Sequence, residues 1–490
     1  MADTPETIYK RSADAYLAGD LGAADEHCRN FLTQQPGSGP GWLLHGRIRT
    51  RQSRLTEAET SLARAATLSP GDAEVPYATA VLRLRQGRVQ DALRQLQATE
   101  RLLPTHPGLP TARAQCYVRL GDPKKALEVL GEPKAVESCA TAAEAALELG
   151  DAAKAEQFAR SGLAMSPPPT HAYHLHQLLG RALARNGDVA GAFAAFTASR
   201  AAVPGRFNRD AAISHVDRMI RAFSPATVAN LPRARISSKR PVFLVGTPRT
   251  GATLVEKIIA SHPSGASAGE TDALKRILVN WTDPKNPELS WPTNVSAIQV
   301  DRVDGVASAY LASTEQFAGE NIERIADKTP GNWLYVGLMA IAFPEAAIVW
   351  VRRDPMDTGL SCFERLSTTT MPWAGRLEDI GLMLALNERM MEHWKSVFPG
   401  RITEIRYEDL VKQPEPTIRS LLSAIGLPWN DACMRHHQRT PRAGDAEPAP
   451  SLGSLDAARP IYQSSVGRAA KFAQLLEPMR AAYLAARAKG

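Results

Sequence analysis

The sequence predicts an α-helical solenoid followed by an α/β domain built on a parallel sheet, and three observations carry that reading. Residues 1–204 repeat with a 34-residue period. After residue 240 the apolar runs become short and continuous, the pattern of strands buried on both faces. The first such run, residues 242–245, leads into a turn bounded by Gly246 and Gly251 and then into Leu254, Ile258 and Ile259 at helical spacing. A strand, a Gly-bounded loop and a helix N-terminus in that order make an anion site, because the first backbone N–H groups of the helix point into the loop.

The period is set by three groups of positions. Pro36, Pro70 and Pro104 are 34 apart, as are Ala24, Ala58, Ala92 and Ala126, and as are Gly19, Ser53, Gly87 and Gly121. This is the tetratricopeptide period. Each unit reads as two amphipathic helices separated by the Gly position, with a small alanine allowing close approach and a proline ending the unit. Gly150-Asp151 with Ala155, and Gly187-Asp188 with Ala192, continue the pattern less regularly, for roughly six units with the fourth short. Stacked pairs leave a concave groove that suits a protein or peptide partner, the alternative being a passive scaffold or dimerisation arm. Residues 208–223 read as a capping helix, and residues 224–239, with Pro225 and Pro232, as a linker. The expected division is therefore a solenoid over 1–204, a cap and linker over 205–240, and the α/β domain over 241–490.

Composition bounds the rest. At 490 residues the chain is too long for one ordinary core. Its five cysteines are odd in number and show no paired metal or redox spacing, so free buried thiols and a reducing, cytoplasmic setting are expected, with no metal. No run of about 18 apolar residues is present, so no membrane span is expected. The net charge of +7 favours anionic ligands. No basic stripe interleaved with aromatics accompanies it, which argues against nucleic acid.

The loop almost spells G-x-x-x-x-G-K-[ST]. Gly246 and Gly251 have the required separation and Thr253 the hydroxyl position, but Ala252 replaces the lysine and the nearest cation is Arg249. The missing lysine argues against a kinase-like reaction on a triphosphate. Further along, Glu270 follows a short strand and is the candidate general base for an acceptor hydroxyl, the alternative being a helix-cap carboxylate. Lys328 supplies the ammonium the loop lacks and can stabilise charge on a leaving oxygen, the alternative being an ion pair with Asp327 or Glu323. Arg353 ends another apolar strand, and Ser361 and Arg365 lie one helical turn apart beyond it. In an open parallel sheet, groups that follow strands meet in one crevice at the carboxyl edge.

These stretches, with Ser261-His262-Pro263, Gly269-Glu270-Thr271, Asp327-Lys328-Thr329-Pro330 and Arg353-Asp354-Pro355-Met356-Asp357, resemble the signature set of sulfotransferases. The nearest resemblance is to bacterial enzymes carrying tetratricopeptide repeats, and through them to tyrosylprotein sulfotransferases. It implies 3′-phosphoadenosine 5′-phosphosulfate (PAPS) as donor and a hydroxyl-bearing acceptor, peptide tyrosine among the options. It also implies a 5′-phosphosulfate cradle at Arg249, Thr250, Gly251, Ala252, Thr253 and Leu254, and a 3′-phosphate grip by Arg353 and Ser361 with Arg365 beside them. Tyr407 is implied at the adenosine, and Arg468 in a C-terminal cofactor segment beginning at Pro460. Glu270, Arg249 and Lys328 take the catalytic roles.

Three positions depart from the pattern. Ala252 lacks the usual hydroxyl, a hydrogen bond to a charged acceptor worth about 1–3 kcal/mol. Ala469 stands where an aromatic residue follows the basic one, and the serine that assists catalysis in tyrosylprotein sulfotransferases falls near Gly453 or Ser454. Residues 442–460, rich in Ala, Pro, Gly and Ser, read as a lid. The rival reading is a repeat-bearing adaptor whose second domain has weakened catalysis.

Overall fold

The computed structural model describes residues 3–236, 238–279, 281, 290–439, 457 and 459–488. The chain forms two compact units, Met1–Ala195 and Phe196–Gly490.

The first unit is built of helix pairs: α1 (Pro5–Ala18) with α2 (Leu21–Gln34), α3 (Gly39–Arg51) with α4 (Leu55–Leu68), α5 (Glu74–Arg85) with α6 (Val89–Leu102), α7 (Leu109–Arg119) with α8 (Pro123–Leu130), and α9 (Val136–Leu149) with α10 (Ala152–Ala164). Then come α11 (Pro169–Arg185) and α12 (Val189–Ala202), within which the second unit begins. The fourth pair is short because α8 has only 8 residues. The repeating alanines Ala24, Ala58, Ala92 and Ala126 are fully buried, each in a different apolar cluster. A larger side chain there would push the packed helices apart.

The Gly-Asp turns are two caps in succession. Gly19, Gly87, Gly121, Gly150 and Gly187 all have φ between 77° and 86°, the left-handed conformation that closes a helix C-terminus. Asp20, Asp122 and Asp151 then accept from backbone N–H groups three residues on and start the next helix. Ser53 holds the same turn at φ 61° with a side chain that disfavours it. The period also carries an arginine: Arg51 donates to the Tyr16 carbonyl at 2.8 Å, Arg85 to Thr50 at 3.2 Å, and Arg119 to Leu84. Each guanidinium satisfies a carbonyl near the C-terminal end of the preceding repeat's first helix, where the helix dipole favours positive charge.

The second unit places a five-stranded, wholly parallel sheet between helices. Its elements are α13 (Arg209–Ala222), α14 (Pro225–Asn230), β1 (Pro241–Val245), α15 (Ala252–Ser261), β2 (Gly265–Gly269), α16 (Ala273–Val279), α17 (Val300–Thr314), β3 (Arg324–Asp327), α18 (Val336–Ala342), β4 (Ala347–Arg352), α19 (Pro355–Arg365), α20 (Leu377–Val397), β5 (Ile402–Arg406), α21 (Tyr407–Lys412), α22 (Pro414–Ala424) and α23 (Glu477–Arg487). Strand order is β2-β3-β1-β4-β5. Phe243, Val245, Ile348 and Trp350 point into one apolar cluster, with residues of α13, α17, α18 and α20. Val242, Leu244, Val349 and Val351 point into another, with α15, α21 and α22. Two covered faces are why β1 and β4 read as unbroken apolar runs.

The expected cap and linker over 205–240 are instead part of the second unit's core. Val216 and Met219 on one face of α13, and Phe223 at its C-cap, are buried with Trp394. Asp217 pairs with Arg389 of α20 at 2.8 Å, and the Phe223 carbonyl is 3.0 Å from His393 Nε2. The segment expected as linker forms α14, buries Val228 and Leu231, and donates from Ala234 N–H to the Ile341 carbonyl at 2.9 Å. Trp281 and Trp291 pack in the same core, and Phe223 and Trp291 meet at 5.5 Å. All five cysteines are buried and unbridged. Among the described residues no helix is long and apolar enough to cross a membrane.

The buried-alanine rule has a direct check. Ala92→Leu in α6 is expected to lower stability by about 1–3 kcal/mol through overpacking, read as a lower melting temperature of the full chain by calorimetry.

Candidate active site

Every strand of the sheet delivers a site group from its carboxyl end. The loop 246–251 follows β1, Glu270 follows β2, Lys328 follows β3, Arg353 follows β4 and Tyr407 follows β5, each immediately after its strand's last residue. All of them line one cavity of about 360 Å³. Because β1 lies between β3 and β4 while the chain visits β2 and β3 before β4, this is the topological switch point of the sheet.

Loop geometry explains its glycines. Gly251 has φ 101°, and a Cβ there would lie 2.5 Å from the Tyr407 ring. Gly246 has φ 141°, and a Cβ would lie 2.6 Å from the Val351 carbonyl oxygen. Arg249 holds a left-handed φ of 74° without being glycine, a conformation costing about 1–3 kcal/mol. That turn sends its side chain toward α19, where Nε donates to Ser361 Oγ at 3.1 Å. Gly251 caps α15 with no side-chain acceptor, and Gly251, Ala252, Thr253 and Leu254 all line the cavity. Positive helix-end charge thus faces the space that Arg249 borders. Thr250 is the exception among the expected loop residues. Its hydroxyl donates to the Thr247 carbonyl at 2.9 Å, so it braces the turn and does not line the cavity.

Lys328 pairs with Glu270, not with Asp327 or Glu323: Nζ lies 2.5 Å from Glu270 Oε1. The lysine side chain is 6% exposed and the glutamate 41%, so the ammonium is embedded and the carboxylate opens to the cavity. Asp327 is unavailable to Lys328 because both its oxygens are taken. Oδ1 accepts from Thr329 N–H at 2.9 Å, Thr329 Oγ1 at 2.7 Å and Asn332 Nδ2 at 3.1 Å; Oδ2 accepts from Thr271 Oγ1 at 3.0 Å and Tyr310 Oη at 2.9 Å. Burial and this carboxylate push the Tyr310 phenol far above its usual range, so it stays a donor. Sequence reading quoted Asp327 inside a motif but missed this role.

Arg353 bridges three parts of the site. It donates to the Arg249 carbonyl at 3.2 Å and the Ser465 carbonyl at 2.5 Å, and its guanidinium carbon stands 4.9 Å from the Tyr407 ring centroid. Asp357 is 4.0 Å away. Arg352 turns from the cavity to pair with Glu404 at 2.9 Å. Arg365 also lines the cavity.

The C-terminal segment is fastened by two carboxylates of α19 that sequence reading did not single out. Asp357 accepts from Gly467 N–H at 2.6 Å and Ala469 N–H at 2.7 Å, and Glu364 forms a two-bond pair with Arg468 at 2.7 and 3.0 Å. Ala469 therefore contributes a backbone N–H and a buried methyl at the position where an aromatic was expected. Arg468 lines the cavity with its guanidinium engaged by Glu364. Cys362, beside the loop, is buried, and burial pushes its thiol up to about 12 despite Arg249 and Arg353. Gly453, Ser454 and most of the expected lid lie outside the described residues.

The Asp327 arrangement is testable. Asp327→Ala leaves four side chains without their acceptor in the interior and is expected to lower stability by about 3 kcal/mol or more, measured as the shift in urea midpoint by tryptophan fluorescence.

Comparison with known proteins points the same way. Residues 241–431 match the Sulfotransferase family. An uncharacterized protein of Aquifex aeolicus (strain VF5) is 33% identical over 273 residues, covering 54% of this chain and 35% of its own length. The protein-tyrosine sulfotransferase of Drosophila melanogaster is 25% identical over 247 residues, covering 47% of each chain. Protein-tyrosine sulfotransferase 1 of Danio rerio is 24% identical over 216 residues, covering 41% of this chain and 58% of that protein. The chain thus spans between 35% and 58% of the length of these relatives. In its parallel sheet, its loop after β1 and the matched residues 241–431, the second unit is similar to the Sulfotransferase family, and it follows a helical array of tetratricopeptide period.

Proposed function

We propose that the chain transfers a sulfonate group from PAPS to an acceptor hydroxyl. The observation that carries this reading is the embedded Lys328 ammonium paired with the open Glu270 carboxylate, facing a lysine-free phosphate-type loop in one cavity.

The cavity fits the donor by its chemistry. The first turn of α15 meets the 5′-phosphosulfate, while Arg353 and Ser361, with Arg365 near, meet the 3′-phosphate. Tyr407, against Gly251 and under Arg353, offers a ring face to the adenosine. In the reaction, Glu270 takes the proton of the acceptor hydroxyl as its oxygen bonds to sulfur. The bond from sulfur to the bridging oxygen of the 5′-phosphate breaks, and Lys328 and Arg249 stabilise the charge left on that phosphate. Adenosine 3′,5′-bisphosphate and the sulfated acceptor are the products, and no metal enters the scheme.

Peptide tyrosine is the acceptor class favoured by the names of two relatives, and the repeat unit is the docking surface for a protein or peptide that carries it. A weakened adaptor is the rival, favoured by Ala252 in the loop and by Glu364 occupying Arg468.

Calorimetric titration with adenosine 3′,5′-bisphosphate separates the two. Micromolar affinity is expected, weakened at least about tenfold, or 1.4 kcal/mol, by Arg353→Ala, with ATP much weaker. Absence of binding by the folded protein overturns the enzyme reading. With a tyrosine peptide as acceptor, Glu270→Ala is expected to lower kcat by about 10²–10⁴-fold while leaving bisphosphate affinity within about threefold.

A further inference from the structure

Glu256 is a carboxylate buried inside α15 that the scheme above does not use. It is 5% exposed and lies beneath the loop that carries Glu270. Its Oε1 accepts from Ser267 Oγ at 2.5 Å, and Ser267 Oγ in turn accepts from Gly269 N–H at 3.1 Å.

That short chain of bonds spans an irregularity of the sheet. Ser267 pairs with Ala326 and Gly269 with the next residue, Asp327, so Ala268 is an extra residue in β2. A bulge bends its strand and re-aims the side chain that follows. Here it ends at Gly269, with φ 68°, and the next residue is Glu270. The Ser267 hydroxyl satisfies the Gly269 N–H across the bulge, and Glu256 fixes the direction in which that hydroxyl points. Glu270 is pinned on its other side as well, since Thr271 N–H donates to Thr329 Oγ1 at 2.9 Å and Thr271 Oγ1 donates to Asp327.

We propose that Glu256 and Ser267 are positioning residues for Glu270: together they lock the β2 bulge that aims its carboxylate at the acceptor and at Lys328. The proposal rests on the reading of Glu270 as the base. Burial pushes the Glu256 carboxyl up, with the Lys328 ammonium and the Ser267 hydroxyl pulling against it, so its charge state is tied to the same pair it supports.

The test uses the full chain and four variants, Ser267→Ala, Ser267→Thr, Glu256→Ala and Glu256→Gln. In crystals of Ser267→Ala, Glu270 is expected to leave Lys328 Nζ by about 1 Å or more, a displacement of the size that costs about 10²-fold in rate. With a tyrosine peptide, kcat is expected to fall by about 30–100-fold in Ser267→Ala and Glu256→Ala, with bisphosphate affinity within twofold of wild type. Ser267→Thr and Glu256→Gln, which keep the hydroxyl and its acceptor, are expected to recover most of kcat. A Ser267→Ala crystal structure with the Glu270–Lys328 contact intact overturns the proposal, whatever the activity. So does an unchanged kcat in Ser267→Ala when Glu270→Ala is inactive, and so does loss of bisphosphate affinity in step with kcat. If Glu270→Ala is as active as wild type, the base assignment fails instead, and the crystallographic comparison still decides the bulge.

Discussion

The buried carboxylate of Asp327 is the interaction on which the geometry of the sheet's carboxyl edge depends. Five hydrogen bonds converge on it from β3's exit, from the turn after β2 and from α17. No cation shares it among the described contacts, so neutral donors alone hold the charge. With both of its oxygens filled in this way, the carboxylate leaves the neighbouring ammonium, Lys328, to find its partner across the cleft. The Glu270–Lys328 pair is thus set by what Asp327 already holds.

A second division of labour runs along α19. Asp354 caps this helix and Asp357 holds the C-terminal segment by its backbone, while Glu364 holds Arg468 by its side chain. Ser361, on the same helix, faces Arg249. One helix therefore borders the anion loop and fastens the segment that closes the far wall of the cavity. Positive groups gather on the cavity, and a buried carboxylate one layer behind, Glu364, fixes the direction of Arg468.

Much of this was legible because particular residues have few alternatives. The 34-residue spacing of Gly19, Gly87 and Gly121 reflects a left-handed φ that most side chains disfavour, and the apolar runs of β1 and β4 reflect two covered faces. The meeting of the loop 246–251, Glu270, Lys328, Arg353 and Tyr407 at one edge was legible because each directly follows a strand. The fate of α13 was not: Val216, Met219 and Phe223 mark an amphipathic helix but do not say which core receives it. Nor was Asp327's role, since hydrogen bonds to residues 17 and 56 positions away leave no local pattern. Glu256 did leave a trace, as a charge among the buried Val255, Ile258 and Ile259 of α15, but a charge in an apolar helix face names no partner until β2 is seen beneath it. Thr250 shows the opposite error, a residue of the right type in the right loop whose hydroxyl points inward.

The proposed function requires one edge of the sheet to hold a bisphosphate nucleotide with its two phosphates on separate sites. A crystal structure with adenosine 3′,5′-bisphosphate tests it most directly. The 5′-phosphate is expected at about 3 Å from the backbone N–H groups at the start of α15, and the 3′-phosphate at about 3 Å from Arg353 and Ser361. A nucleotide bound elsewhere, or bound here with its 3′-phosphate away from both of those residues, would contradict it.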